Sequence, residues 1–208
     1  SCIMCGRFTL RTPANLVIEQ FSARVREESP IDFRPRYNVA PTQAFPVLRG
    51  TQRYLEPLRW GLVPFWAKDL KIGARMINAR SETAASKPSF RSAMKKRRCL
   101  IPADGYFEWE KVGKKKRPYW IRMHDERPFL MDGLWETWRD KASDDSETIE
   151  SFTILTTDSN SLTAQVHDRM PVILGPQDFD DWLNPEIQDA SELEHLLIPY
   201  ESDTMRMD

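Results

Sequence analysis

Three side chains in this sequence are of types that carry nucleophilic and proton-transfer chemistry, and each sits in a polar segment. Cys5 lies in Cys5-Gly6-Arg7-Phe8, Glu108 in Pro102-Ala103-Asp104-Gly105-Tyr106-Phe107-Glu108-Trp109, and His167 in His167-Asp168-Arg169-Met170-Pro171. A cysteine sulfur is a strong nucleophile once deprotonated. A carboxylate and an imidazole tuned toward neutral pH can take up and return protons. Strand alternation would place Glu108 on the face opposite Phe107 and Trp109, and partial burial there would raise its pKa. Thiol, imidazole and carboxylate are also the components of a Cys-His-acid triad, for which spacing along the chain gives no geometry. The plainer readings are a small buried cysteine and a hydrogen-bonded loop histidine. Two further polar segments accompany these three, Arg36-Tyr37-Asn38-Val39-Ala40-Pro41 and Asn78-Ala79-Arg80-Ser81-Glu82-Thr83.

With 208 residues, 40% of them hydrophobic, the chain can bury a substantial core as one large domain or two small ones. It has no apolar run long enough to span a bilayer and no basic-then-apolar start. The expectation is a soluble, monomeric, cytoplasmic protein, with a bacterial setting, that does not engage a membrane. Cys2, Cys5 and Cys99 make an odd count, Cys2 and Cys5 have no second ligand pair, and His124, His167 and His195 are far apart. No disulfide framework, metal site or cofactor is expected. The net charge of -1 conceals 25 Lys and Arg against 10 Asp and Glu in residues 1–123, and 5 against 21 in residues 124–208. Either the two halves neutralise each other on one surface, or the first half presents a basic face that attracts a polyanion.

The elements that must position these residues read as one α+β domain of mixed, largely antiparallel sheets with flanking helices. Thr12-Pro13 predicts a helix start, and Ile18, Phe21 and Val25 extend the helix over 13–28, ended by Pro30 and Pro35. Strands are expected at 45–48 and 54–60 around a Gly50 turn. Residues 98–110 and 118–123 read as a hairpin whose basic tip spans 111–117. Further strands are placed at 128–137 and 152–156, short helices at 160–165, 176–183 and 191–197, and a mobile surface loop at 139–150. The basic runs Lys95-Lys96-Arg97-Arg98 and Lys114-Lys115-Lys116-Arg117 fit either a phosphate track or a solvated surface.

Taken in order, the five polar segments resemble the signature segments of the SOS-response-associated peptidase family, across most of the chain. That resemblance implies a barrel-like core with a basic cleft for single-stranded DNA carrying abasic sites, and a thiazolidine bond between an N-terminal cysteine, here Cys5, and the abasic sugar. The chemistry is sensible: an N-terminal cysteine offers a thiol beside an α-amine of pKa about 7.7 to 8. The amine forms an imine with the sugar aldehyde and the thiol closes the ring. The resemblance further implies that Glu108 opens the sugar, with His167 as a second acid or base and Asn78 positioning the sugar or the amine. It assigns Arg7, Arg80 and Arg169 to phosphates, Trp66 with Phe65 to stacking on a base or wedging against duplex DNA, and Asn38, Pro41 and Thr156 to the pocket lining.

Ser1-Cys2-Ile3-Met4 precede Cys5. The chemistry therefore expects Cys5 to become the mature terminus. Synthesis could start at Met4 with methionine removal, the leading residues could be extraneous, or the protein's own thiol peptidase activity could remove them. At the other end the chain stops at Tyr200 to Asp208, short of a Val-Ser and Val-Asn segment usual in the family, so a final strand or tail is expected to be missing. Two rival functions stand beside crosslinking: a noncovalent reader of modified or single-stranded DNA, and a cysteine peptidase acting on other proteins.

Overall fold

The computed structural model describes residues 4–29, 31, 33–145 and 147–208. Cys2 and the leading residues Ser1 and Ile3, the helix-ending Pro30, and Ser146 of the expected loop lie outside the described residues. The chain opens with β1 (Phe8–Leu10), α1 (Ala14–Phe21), β2 (Arg36–Val39), β3 (Ala44–Arg49) and β4 (Tyr54–Trp60). There follow β5 (Asn78–Arg80), α2 (Arg91–Lys96), β6 (Arg98–Ala103), β7 (Gly105–Val112), β8 (Lys115–Met123) and β9 (Phe129–Arg139). The last elements are β10 (Thr148–Asp158), β11 (Arg169–Pro171), β12 (Ile173–Leu174), α3 (Phe179–Leu183) and β13 (Met205–Met207).

These strands make the expected α+β domain with a closed barrel. Around the ring, β10 pairs in parallel with β4, β4 with β3, β3 with β6, β6 with β9, and β9 returns to β10, the last four pairings antiparallel. Closure leaves those five strands without a free edge along the ring. A second sheet runs β13-β8-β7-β1-β2 and packs on the barrel through Phe8, whose ring meets Phe45 edge-on at 4.8 Å and Trp60 at 5.0 Å. Trp60 in turn stacks on Phe152 across the parallel pair, with centroids 6.3 Å apart. Each of these four aromatics is at most 1% exposed, so the junction between barrel and second sheet is among the most deeply buried parts of the molecule.

Several expectations are corrected. The first helix is Ala14–Phe21, with Val17 and Phe21 buried, and it ends at Ser22 in the left-handed region at φ 50°. Thr12 does not cap it, because the Thr12 hydroxyl and amide both donate to Asp104 Oδ2 at 2.9 Å. Residues 98–110 are two strands in different sheets, β6 in the barrel and β7 in the second sheet, broken at Asp104. That carboxylate also accepts from the Thr9 hydroxyl at 2.6 Å and the Arg11 amide at 2.7 Å, which ties β1 to the break. The basic tip contracts to a two-residue turn, since Val112 pairs with Lys115 and Gly113 takes φ +62°. The loop after β9 is likewise short, because β9 and β10 pair out to Arg139 opposite Thr148. The expected helices at 160–165 and 191–197 are 3-10 turns, and only Phe179–Leu183 of 176–183 is α-helical. Met205–Met207, for which no strand was expected, pairs with β8.

Candidate active site

Cys5 is placed by β1 and β7. Phe8 lies opposite Tyr106, and the Phe107 amide donates to Arg7 O at 2.9 Å, so the chain before β1 continues alongside β7. The Cys5 amide then reaches the Glu108 carboxylate, donating to Oε1 at 2.8 Å. In a chain that began at Cys5 this nitrogen would be the α-amine. Cys5 is fully buried, and burial followed by the charge of Glu108 pushes its thiol pKa well up. Its backbone is left-handed at φ 44°, a conformation that costs an L-residue about 1–2 kcal/mol.

Glu108 is 2% exposed. Burial pushes its carboxyl pKa up to about 7; the Cys5 and Trp109 amides pull the other way, and Asp168 adds to the rise. The group therefore exchanges its proton near neutral pH, which is what a general acid and base requires. Two residues earlier on the same strand, Tyr106 is fully buried and its hydroxyl has no hydrogen-bond partner.

The opposite wall is built on the end of β10. There β5 pairs in parallel, with Ile154 opposite Asn78 and Thr156 opposite Arg80, and β11 pairs antiparallel, with Thr156 opposite Pro171. Together with Met4, Ala74, Arg75, Ile77, His167, Asp168 and Arg169, the residues Asn78, Arg80 and Thr156 line a cavity of about 720 Å³. The Asn78 amide donates to Ile77 O at 3.1 Å. His167 Nδ1 accepts the Arg169 amide at 3.1 Å, while Asp168 Oδ1 lies 3.1 Å from the same nitrogen. One nitrogen cannot accept and donate at once. We assign the backbone donor, because the Asp168 side chain is 91% exposed and free to turn to water; the ring then carries its proton on Nε2.

Of the residues expected from the sequence, Asn78, Arg80, Thr156, His167 and Arg169 meet in this cavity; Cys5 and Glu108 are buried and do not line it, although Met4, the residue before Cys5, does. Arg169 departs from the phosphate role. Its guanidinium is 7% exposed and held by both Glu82 oxygens at 2.7 Å, Asp158 at 2.9 Å and the Thr156 carbonyl at 2.9 Å. It braces the β10–β11 wall. Arg7 and Asn38 are joined by a 3.1 Å hydrogen bond, and neither they nor the half-buried Pro41 line the cavity. Phe65 and Trp66, 51% and 44% exposed, stand on the segment between β4 and β5. That segment is fixed where Gly61 and Gly73 pack so closely that a Cβ on Gly61 would sit 2.4 Å from the Gly73 carbonyl oxygen. Sequence reading missed Met4, Arg75 and Asp168 as lining residues and Asp104 as the anchor of β1. Four donors converging on Asp104 come from Thr9, Arg11 and Thr12, a pattern that only the folded β1–β7 pair reveals.

Charge is partly neutralised between the two halves of the chain, as Arg49 pairs with Glu150, Arg53 with Asp180 and Arg97 with Glu136. The cavity wall nevertheless keeps Arg75 and the 64% exposed Arg80. No helix is long and apolar enough to cross a membrane among the described residues.

The sequence model described as SOS response associated peptidase (SRAP) matches residues 4–208. The chain is 43% identical over 206 residues to the abasic site processing protein YoqW of Bacillus subtilis (strain 168), covering 97% of this chain and 90% of that protein. It is 33% identical over 196 residues to the abasic site processing protein YedK of Escherichia coli (strain K12), covering 91% and 85%. A crystal structure of a Bacteroides thetaiotaomicron protein superposes with a TM-score of 0.88 at 32% identity, over 98% of this chain and 90% of that one. The chain therefore belongs to the SOS response associated peptidase family.

Proposed function

We propose that this protein processes abasic sites in single-stranded DNA, and that it does so by capturing the sugar covalently on Cys5 once Cys5 is the first residue. The observation that carries this reading is the 2.8 Å contact of the Cys5 nitrogen with a buried carboxylate whose pKa lies at about 7. With the nitrogen a free amine, Glu108 accepts a proton as the amine adds to the ring-opened sugar aldehyde. It passes that proton to the aldehyde oxygen, then carries a second from the nitrogen to the same oxygen, which leaves as water and produces an imine. The Cys5 sulfur then bonds to the imine carbon, its proton passes to the nitrogen, and a thiazolidine results with no further reagent. Asn78 and His167 face the cavity that would hold the sugar. Arg7, oriented by Asn38, and Arg80 meet phosphates, while Phe65 and Trp66 stack on a base or wedge against duplex DNA. Thr156 and Arg169 shape the walls, Arg169 as a brace.

Loss of the residues before Cys5 is part of the reading. Met4 lines the cavity and directly precedes the buried Cys5; on this reading its departure opens Cys5 to the sugar, and a first residue has no φ to strain. The positive φ at Cys5 favours a second activity, self-cleavage of the Met4–Cys5 bond, because strain in the scissile segment is relieved on cleavage. Mass spectrometry of freshly made and aged protein checks it: loss of the leading residues that Cys5→Ala abolishes is expected, and equal loss in both proteins assigns the removal elsewhere.

The central test uses protein beginning at Cys5 and single-stranded DNA with one abasic site, resolved on a denaturing gel beside Cys5→Ala. A shifted band that needs Cys5 is the expected result. Binding that salt reverses, with no shifted band, would replace this reading with a noncovalent DNA reader, and turnover of unrelated peptides would point to a cysteine peptidase.

A further inference from the structure

A buried hydroxyl with nothing to bond to is costly, about 1–3 kcal/mol, and therefore rare in a folded protein. Tyr106 carries one beside the proposed reaction centre. Its ring is fully buried, its hydroxyl has no partner, and it lies on the same face of β7 as Glu108, the residue that holds the Cys5 nitrogen. Across the sheet, Tyr106 sits opposite Phe8, three residues after Cys5, and opposite Ile121 on β8, which has no polar side chain to offer. Glu108 meanwhile is occupied by the Cys5 amide. Cys5 is close enough for its charge to act on the Tyr106 phenol, and a sulfur losing its proton is an acceptor of the kind this hydroxyl lacks.

We propose that the Tyr106 hydroxyl donates a hydrogen bond to the Cys5 sulfur as that sulfur loses its proton, and so activates it for the ring-closing attack. This rests on the covalent reading given above. In the step itself the thiol proton goes to the imine nitrogen, the sulfur lone pair forms the S–C bond, and Tyr106 keeps its own proton throughout. The need is clear from the surroundings. Burial and the charge of Glu108 both oppose a thiolate at Cys5, and Cys5 and Glu108 are the two ionisable groups whose charges act on Tyr106, after burial, to keep its phenol protonated. A protonated phenol held without a competing acceptor is a preorganised donor to a developing negative charge.

The test compares Tyr106→Phe with the parent, both beginning at Cys5. Phenylalanine keeps the ring and removes only the orphan hydroxyl, so Tm is expected to stay level or rise. Three quantities are measured: the single-turnover crosslinking rate at saturating abasic-site DNA from pH 5.5 to 9, the affinity for the same strand carrying a tetrahydrofuran in place of the sugar, and the pH midpoint of Cys5 alkylation by iodoacetamide. A crosslinking rate lowered about tenfold or more, an alkylation midpoint moved to higher pH, and an unchanged affinity are expected, because a hydrogen bond to a charged group is worth about that much. Equal alkylation midpoints in the two proteins, or a rate that falls only in step with affinity or Tm, would overturn the proposal. If the parent fails to crosslink, the covalent reading fails, and the alkylation midpoint still decides whether Tyr106 bonds the sulfur.

Discussion

Glu108→Gln separates what the buried carboxylate does for chemistry from what it does to stability. The carboxyl titrates at about 7 in the fold against an ordinary value of 4.5. A raised pKa means the native state binds the proton more tightly than the unfolded chain. The side chain therefore contributes its full stability below pH 4.5, loses it progressively between 4.5 and 7, and above 7 carries the whole deficit. At 1.36 kcal/mol per pH unit that deficit approaches about 3 kcal/mol as an upper figure. Glutamine preserves the acceptor for the Cys5 nitrogen and cannot ionise. Urea denaturation should find the variant more stable than the parent by about 2–3 kcal/mol at pH 8, with the gap closing toward pH 4.5. In the gel assay the same variant should crosslink about 100-fold or more slowly, the usual loss when a general acid–base is removed. A stability difference that stays constant from pH 4.5 to 8 would refute the burial argument, and a fast variant would refute the catalytic one.

Arg169→Lys keeps the charge but not the fork that grips both Glu82 oxygens. We expect a loss of about 1–2 kcal/mol in thermal or urea denaturation, discounted because Glu82 and Asp158 are partly exposed. The salt dependence of DNA binding should be unchanged, since the Arg169 guanidinium is already held by Glu82, Asp158 and Thr156. Gly105→Ala drives a Cβ to 2.1 Å from Trp120 Nε1, a ring already held by its 3.2 Å bond to Thr9; destabilisation of about 1–3 kcal/mol by urea titration is expected. Trp66→Ala should leave Tm unchanged, because the ring is 44% exposed, and weaken noncovalent DNA binding by about 1–3 kcal/mol in fluorescence anisotropy.

Sequence reading succeeded where a local signal and the final structure coincide. Gly50 between two branched, aromatic segments is a hairpin in the chain and in the fold, and alternation around Glu108 does bury its carboxylate away from Phe107 and Trp109. It failed where the deciding interaction is distant. Residues 98–110 look like one strand because they are rich in aromatic and branched residues, yet Asp104 ends β6 by gathering donors from Thr9, Arg11 and Thr12. The parallel pairings of β10 with β4 and β5 leave no trace in either segment, although they set Asn78 and Arg80 beside Thr156. Five polar segments could be recognised together through their family resemblance. That Arg169 is consumed by Glu82, Asp158 and Thr156 depends on side-chain geometry, which a motif does not carry.

The position of β10 has a consequence for biosynthesis. The thiol leaves the ribosome before the carboxylate that meets it, which follows 103 residues later, and β10 and β11, which wall the cavity, come later still. Until β10 is made, β4 and β9 share no neighbour and the ring stays open. An elongating or prematurely terminated chain thus carries its cysteine without the apparatus proposed to activate it.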